Sequence, residues 1–238
     1  MNRFVQHLVL VLVGASVAVM LVKGTYLNYV KPALLPWLAI AAAVLIVLGA
    51  AALYRDVRGT THVDDGHGHG HGQRGRLVWL LLLPIALIAF VVPPPLDARG
   101  ATAAPPSATA PSPRAFPPLP PGPAPTVPVP EVVMRAAADP AKSLDGRTIT
   151  MSGFTLHYPD GVYLARVVIV CCAADAQLAR VRLAGPAAGS AAAFGEQTWV
   201  EVRGRVEPGS ARAENDFIPT VSADAVTHID EPANTYAY

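Results

Sequence analysis

The chain has 238 residues, of which 52% are hydrophobic and only 15% are charged. A soluble domain carries roughly 25% charged residues, and here the long apolar runs fall within residues 1–92, so we expect a membrane module followed by one domain of about 100 residues. Residues 131–238 hold nine Lys/Arg and thirteen Asp/Glu, a net charge of −4, and this acidic balance argues against nucleic acid as a partner.

Three apolar runs predict membrane-spanning helices. Residues 4–22 cover about 28 Å as a helix, enough to cross the hydrocarbon core. This run ends at Lys23 without a small-residue cleavage site, which favours a retained helix over a signal peptide. Residues 36–53 form the second run. Residues 77–92 form the third, which is short and contains Pro84, so tilting or a re-entrant path is its alternative. We therefore expect an α-helical anchor of two or three helices, in contact with lipid, in a multi-pass protein of the plasma membrane.

The distribution of basic residues predicts the orientation of this anchor. Arg3 and the second loop together carry five Lys/Arg, whereas the first loop and the start of the segment after the third run carry three. Since cytoplasmic loops are enriched in Lys and Arg, we expect the N-terminus in the cytoplasm and the C-terminal domain outside. If the third run does not span, the same rule places the domain in the cytoplasm.

A histidine-rich loop, residues 60–76, separates the second and third runs. Glycine alternates with His67, His69 and His71, directly after Asp64 and Asp65. Imidazole and carboxylate groups in such tracts bind Zn²⁺, Ni²⁺ or Cu²⁺. We predict weak metal capture, because ordering a glycine-rich chain costs conformational entropy. The alternative is a polar low-complexity loop without a metal role.

Residues 93–130 carry 15 of the 24 prolines in the chain. This composition does not form a packed core and predicts a polyproline II-like linker. Fully extended, it would reach roughly 120 Å, which would separate the C-terminal domain from the bilayer. Disorder without a spacing role is the alternative.

Residues 131–238 predict a small β-rich domain. After a short helix near Val132, five segments alternate in polarity or are rich in β-branched residues, and turn residues separate them. Five short strands in about 90 residues, with Gly153 and Gly204 inside two of them, favour an all-β domain, with an OB-like barrel as the expected form. An antiparallel sandwich is the alternative. The predicted strands are residues 147–153, 162–172, 179–183, 198–206 and 218–229.

The two cysteines of the chain, Cys171 and Cys172, are adjacent, and Asp175 follows them. On a straight strand the two thiols would point to opposite faces. A turn beginning at Cys172 would instead bring Cys172 and Asp175 towards one ion, with His157 or His228 as a further ligand, a set that suits Zn²⁺. The alternatives are a buried apolar cysteine, a vicinal disulfide and a turn capped by Asp175. A structural role is favoured, because the sequence spaces no complete ligand set.

Common enzyme motifs are absent from the sequence, including Gly-x-Ser-x-Gly, His-Glu-x-x-His and a phosphate loop. We therefore expect a protein that is not an enzyme.

The string Cys-Cys-Ala-Ala-Asp-Ala at residues 171–176, after the strand-like run 163–169, resembles a signature of the YcgQ-like membrane proteins, which are described as permease subunits. Residues 198–204 are similar to a second signature of that family. Residues 29–32 and the histidine-rich loop match its N-terminal layout. The resemblance covers nearly the whole chain. It implies a multi-spanning permease as partner and a dedicated role for Cys171, Cys172 and Asp175.

Together these features predict an accessory subunit of a membrane permease complex, with zinc or another transition metal as the candidate cofactor or substrate. One alternative is a stand-alone metal-binding or metal-sensing envelope protein. The other is a structural envelope protein that binds a polymer or a lipid precursor.

Overall fold

The structure is a computed structural model, and it describes residues 3–58, 96, 98, 100–103 and 112–237. The chain divides into two compact units, Met1–Pro95 and Leu96–Tyr238. The predicted histidine-rich loop, residues 60–76, and the third apolar run, residues 77–92, lie outside the described residues.

The first unit contains a helical hairpin. Helix α1 is Arg3–Lys23 and helix α2 is Leu35–Arg58, and two short 3-10 turns, Thr25–Asn28 and Pro32–Leu34, connect them. By length and composition both helices could cross a membrane, with mean hydropathies of 1.9 for Gln6–Lys23 and 2.5 for Pro32–Arg58. Their bounds agree within a few residues with the predicted spans 4–22 and 36–53.

Two glycines set the close approach of α1 and α2. A Cβ atom at Gly14 would lie 2.7 Å from Cγ1 of Ile46, and a Cβ atom at Gly49 would lie 2.7 Å from Cγ2 of Val11. Larger side chains at these positions would force the helices apart. At one end of the hairpin, Nδ1 of His7 lies 2.9 Å from Oδ2 of Asp56, which ties the start of α1 to the end of α2.

The second unit is built on a mixed sheet, with seven strands among the described residues. The five longer strands correspond in order to the five predicted ones, and the two short strands were not predicted. The strands are β1 (Thr102–Ala103), β2 (Thr148–Tyr158), β3 (Gly161–Val168), β4 (Gln177–Ala184), β5 (Trp199–Val206), β6 (Thr220–His228) and β7 (Tyr236–Ala237).

The strand pairings are partly antiparallel and partly parallel. Antiparallel pairs join β2 to β3, β2 to β5, β3 to β4 and β5 to β6. Parallel pairs join β4 to β6, β1 to β4 and β3 to β7. Because β4 pairs with both β3 and β6, the pairings of the five longer strands form a cycle, in the order β2, β3, β4, β6, β5 and back to β2.

Buried and exposed residues alternate along β5, and the buried ones face the core. In β5, Val200, Val202 and Val206 are buried while Glu201 and Arg203 are exposed, as the sequence pattern predicts. A Cβ atom at Gly204 would collide with the carbonyl oxygen of Ser222, at the point where the β5–β6 register shifts. Helices α3 (Val129–Ala138) and α4 (Ala188–Ala193) also bury residues in this core, so the unit is not purely β.

The predicted linker, residues 93–130, differs from the structure. The second unit begins at Leu96 rather than near residue 131, and residues 112–130 pack on it. The N–H of Val127 donates to the carbonyl oxygen of Thr150, and the N–H of Thr150 donates to that of Pro125, both at 2.9 Å. Val127 is only 1% exposed. Prolines lack a donor but keep a carbonyl acceptor and an apolar ring, so a proline-rich segment can line a sheet.

Arg135 of α3 fastens this segment to the domain. Its guanidinium is buried and donates to Oε1 of Glu131 at 2.6 and 2.7 Å and to the carbonyl oxygen of Pro117 at 2.8 Å. It also donates to Oγ of Ser143 at 2.9 Å and lies 4.9 Å from the centroid of the Phe116 ring. A buried charge is tolerated when hydrogen bonds and an opposite charge satisfy it, and here they come partly from residues 112–130.

Candidate metal centre

The adjacent cysteines lie in the connection between β3 and β4. Strand β3 ends at Val168, and Ile169 is still fully buried, with its N–H donating to the carbonyl oxygen of Ala237 at 3.1 Å. The chain then turns outward: Cys171 is exposed and Cys172 is half-buried. A 3-10 turn, Ala173–Asp175, returns it to β4. The connection therefore presents both cysteines at the surface of the second unit.

The carboxylate of Asp175 organises this turn. Oδ1 accepts from the N–H of Val170 at 2.9 Å, and Oδ2 accepts from the N–H groups of Cys171 at 2.8 Å and Cys172 at 3.3 Å. The N–H of Asp175 in turn donates to the carbonyl oxygen of Cys172 at 3.0 Å. One side chain thus satisfies three backbone donors, which is how an aspartate stabilises a tight turn. The capping role that the sequence offered as an alternative is present.

Both thiols converge on the same carboxylate. The two Sγ atoms and a carboxylate oxygen of Asp175 all lie within 4.8 Å of one another. On a straight strand Cys171 would point away from Cys172 and Asp175. Strand β3 instead ends at Val168, and the alternation of faces ends with it.

Hydrogen bonding shifts the acidity of this cluster. The side-chain hydrogen bond to Asp175 is the largest cause that raises the pKa of Cys171 to about 11, and contact with Cys172 adds to it. The same hydrogen bond, together with the three backbone N–H groups, lowers the pKa of Asp175. Without a metal, Cys171 is therefore a neutral thiol at pH 7 and donates to an ionised carboxylate. It is not an activated nucleophile, since nucleophilic attack requires the thiolate.

A metal ion would reverse this arrangement, because a coordinated thiol loses its proton. A carboxylate offers about four lone-pair positions, and the backbone occupies three of those on Asp175. The ion could take the position that the Cys171 proton holds. Two thiolates and one carboxylate suit Zn²⁺, and a thiolate pair also suits Cu⁺. Three protein ligands at an exposed turn leave a fourth position for water or for an incoming ligand.

The predicted histidine ligands lie elsewhere. Nδ1 of His157 is 3.4 Å from Oε1 of Glu196, whose carboxylate also accepts from the His157 N–H at 2.9 Å. The ring of His228 lies 6.2 Å from that of Phe194. Within the part of the chain that the structure describes, no His, Cys, Asp or Glu joins Cys171, Cys172 and Asp175 in a metal-binding group. The predicted loop ligands, His67, His69, His71, Asp64 and Asp65, lie outside the described residues.

Sequence reasoning missed Cys171 as a candidate ligand. The available signal was the spacing of Asp175, four residues beyond Cys171. An aspartate at this spacing can accept hydrogen bonds from the backbone N–H groups of the preceding residues. These bonds fold the chain back, so that the side chains of Cys171 and Cys172 turn towards the carboxylate.

Comparison with known proteins identifies two family domains in this chain. Residues 5–104 match the DUF1980 N-terminal domain, and residues 132–238 match the DUF1980 C-terminal domain. The first match covers the helical hairpin from residue 5 onward. The second covers α3 from Val132 onward, the strands β2 to β7 and the cysteine turn. No curated protein and no solved structure matches the chain.

Proposed function

We propose, for a chain that belongs to the DUF1980 family, the role of an accessory subunit of a membrane permease complex that handles a transition metal, with Zn²⁺ as the first candidate. The observation that carries this proposal is the convergence of Cys171, Cys172 and Asp175 within 4.8 Å at an exposed turn. Zinc sites that serve only structure have four protein ligands, whereas sites that exchange a ligand keep one position open. Three ligands therefore favour acquisition and transfer over storage.

The proposed partner is a multi-spanning permease. Its support is the resemblance of residues 171–176 and 198–204 to the YcgQ-like permease subunits, together with two helices apolar enough to lie in a membrane. In this proposal α1 and α2 anchor the chain beside the permease. The second unit, outside the cytoplasm, presents the cysteine turn to the substrate.

The proposed form of the second unit is an OB-like barrel. Its support is the cyclic pairing of the five longer strands, β2 with β3 and β5, and β4 with β3 and β6. A five-stranded barrel would hold the β3–β4 connection on a rigid support, which favours a preorganised ligand turn.

A stand-alone metal-binding envelope protein is the second candidate function, since the same three ligands support it without a partner. The two candidates differ in one measurable respect. A permease subunit should co-purify with a multi-spanning membrane protein. A stand-alone metal-binding protein should bind metal without such a partner.

Metal titration of the full-length protein in detergent tests the site. The histidine-rich loop is silenced in every sample by His67→Ala, His69→Ala and His71→Ala, so that its imidazoles do not contribute. Zn²⁺ is titrated against a chromogenic chelator, and Co²⁺ serves as a spectroscopic probe of thiolate ligation. We expect one equivalent of Zn²⁺ and a sulfur-to-cobalt charge-transfer band, both lost on Cys171→Ser with Cys172→Ser.

The matched control for this titration is His157→Gln, which removes a predicted ligand that the structure places with Glu196. We expect it to bind Zn²⁺ as the parent does. Equal Zn²⁺ binding by the parent and the double-serine variant would overturn the proposed metal site, and so would an absence of binding in the parent.

Co-purification tests the partner. The tagged chain is extracted in mild detergent from cells that produce it natively, and recovered proteins are quantified by mass spectrometry. We expect near-stoichiometric recovery of one multi-spanning membrane protein, lost when residues 1–58 are replaced by an unrelated two-helix anchor. Intact metal binding without such a protein would establish the stand-alone function instead.

A further inference from the structure

A cavity of about 670 Å³ lies beside the cysteine turn in the second unit. Helix α3 forms one side, the end of β3 and the start of β4 form another, and the loop before β6 closes it. Sites for small molecules usually measure about 300–1,000 Å³ and are mostly apolar with a few polar groups. Its apolar wall consists of Val133, Met134, Val170, Leu178, Phe217 and Ile218.

Two of these wall residues are unusually exposed for apolar side chains. Met134 is 41% exposed and Val170 is 59% exposed. An exposed apolar surface that lines a concavity often marks a binding site. Methionine adapts its shape to different ligands, because its side chain is unbranched and polarisable.

The rim of the cavity carries two arginines, Arg114 and Arg180, and one carboxylate, Asp216. Among the residues that the structure describes, neither arginine has a carboxylate within ion-pair distance. Nη2 of Arg114 contacts Sδ of Met134 at 2.7 Å, and Nη1 of Arg180 donates to Oη of Tyr158 at 2.9 Å. The unit Leu96–Tyr238 holds 11 Lys/Arg and 14 Asp/Glu, a net charge of −3. Two arginines that lie outside ion-pair distance of a carboxylate at one rim form a local site for an anion in this acidic unit.

A second cavity, of about 510 Å³, adjoins the first. The two share Arg114, Pro130 and Met134 among their lining residues, so the contact between Arg114 and Met134 borders both cavities. Methionine is flexible, and movement of Met134 would join the two spaces for a chain-like ligand.

The loop before β6 holds a strained conformation at this rim. Asp216 and Phe217 both have φ of 56°, which is uncommon for non-glycine residues and costs free energy. The N–H of Phe217 donates to the carbonyl oxygen of Arg212 at 2.7 Å, and Nδ2 of Asn215 donates to that of Ile218 at 3.0 Å. These bonds enforce the strain, and the strained loop supplies Phe217 to the cavity wall.

We propose that this cavity binds a long-chain fatty acid. The acyl chain would lie along Met134, Leu178 and Phe217, and the carboxylate would lie at the rim near Arg114 and Arg180. The apolar wall, together with two rim arginines that form no ion pair, favours an anionic amphiphile over a neutral lipid or a polyanion. This role goes beyond metal handling and does not depend on it, because the cavity uses none of the three metal-site side chains.

Photo-crosslinking tests the proposal with the full-length protein in phosphatidylcholine nanodiscs. The probe is a diazirine analogue of palmitic acid, and labelled peptides are mapped by mass spectrometry. We expect labelling on the peptides that contain Met134 and Phe217, with competition by palmitate at a concentration about tenfold lower than by hexadecanol. A hydrogen bond between an arginine and the carboxylate of palmitate accounts for at least a tenfold difference in affinity.

Three variants separate the parts of the argument. Ala137→Trp fills the cavity from α3 and should abolish labelling at both peptides while Zn²⁺ binding by the cysteine turn stays intact. Arg180→Gln should remove the preference for palmitate over hexadecanol. Arg182→Gln is the matched control, because it removes the same charge from the same strand and does not line this cavity; the preference should remain.

Undiminished labelling in Ala137→Trp would overturn the proposal. Labelling confined to other peptides, or equal competition by palmitate and hexadecanol in the parent, would also overturn it. The metal titration does not depend on these results, so failure of the lipid site is distinguishable from failure of the metal site.

Discussion

The substitution Asp175→Asn tests the central electrostatic statement about the cysteine turn. The variant is made in a Cys172→Ser background, so that Cys171 is the only thiol. The hydrogen bond to the Asp175 carboxylate is the largest cause that holds the pKa of Cys171 near 11, against an ordinary value of 9.0. Removing the negative charge should return the pKa towards 9.0. The pKa should fall because an adjacent anion destabilises the thiolate, and the substitution removes that anion.

The size of the effect can be worked out for pH 9. About 1% of a thiol with pKa 11 is ionised there, against about half of a thiol with pKa 9, a gain of about fiftyfold in thiolate. A thiolate of lower pKa is also a weaker nucleophile, with a Brønsted slope of about 0.4–0.5. Over two pKa units this reduces the rate per thiolate roughly six- to tenfold and offsets part of the gain. In the Cys172→Ser background part of the pKa shift is already lost, because contact with Cys172 contributes to it. A rate about five- to eightfold higher in Asp175→Asn is therefore the upper end of the expected gain.

The assay is the second-order rate of reaction with an aromatic disulfide reagent, followed from pH 7 to pH 11. The midpoint of the rate profile should move down by one to two pH units in Asp175→Asn, by the same ionisation argument. Asp160→Asn is the control, since that carboxylate accepts a hydrogen bond from Tyr163 in a different turn and should leave the profile unchanged. An equal or slower rate in Asp175→Asn at pH 9 would refute the assigned cause of the shift.

Three further substitutions test the support of the site, each measured by urea unfolding of the full-length protein in detergent. Gly204→Ala should destabilise by about 1–3 kcal/mol, because its Cβ would collide with the carbonyl oxygen of Ser222; unchanged stability would contradict the close approach of β5 and β6. Thr155→Val should cost about 1–3 kcal/mol, because the buried hydroxyl serves two backbone groups at 2.6 and 3.1 Å; a neutral result would show that these bonds add nothing. Arg135→Met should cost about 3 kcal/mol or more and speed tryptic cleavage after Arg114, and unaltered cleavage would show that this guanidinium does not fasten residues 112–130.

The chain order of the five longer strands could be predicted from the sequence, because each alternates in polarity or is rich in β-branched residues, and turn residues separate them. In β5 the valines at alternate positions indicate the buried face, and Val200, Val202 and Val206 are buried. The pairing of β4 with β6 and the two short strands could not be predicted, since strand partners distant in sequence leave no local pattern. Strands β1 and β7 have two residues each, too few for any periodicity.

The packing of residues 112–130 escaped prediction for a different reason. Composition indicates whether a segment can fold alone, and fifteen prolines argue against an independent core. Composition does not show which contacts a neighbouring domain offers to that segment. A single buried guanidinium, that of Arg135, offers hydrogen bonds to a proline carbonyl and a surface for an aromatic ring, and neither property is visible in the proline count.

The residues of the candidate site could be predicted from the sequence, but their geometry could not. The residues Cys171, Cys172 and Asp175 were singled out by their types and adjacency. Their geometry depends on where β3 ends, and the β-branched run 167–170 gives no sign of an end at Val168. The histidines were paired with the cysteines on ligand chemistry alone, whereas position in the sheet places His157 with Glu196.

The acidity of the turn bears directly on metal exchange. Loading an ion at the proposed centre would displace the proton of Cys171, because coordination requires the thiolate. With a pKa of about 11, that proton is fully bound at neutral pH, so apparent affinity should rise about tenfold per pH unit for each proton released. A centre with a depressed thiol pKa would lack this penalty and would hold its metal more tightly. For the proposed metal site, the raised pKa of Cys171, its exposure and a fourth ligand position left to solvent would all favour passing an ion onward. The carboxylate that shapes the turn would also limit how strongly the site retains that ion.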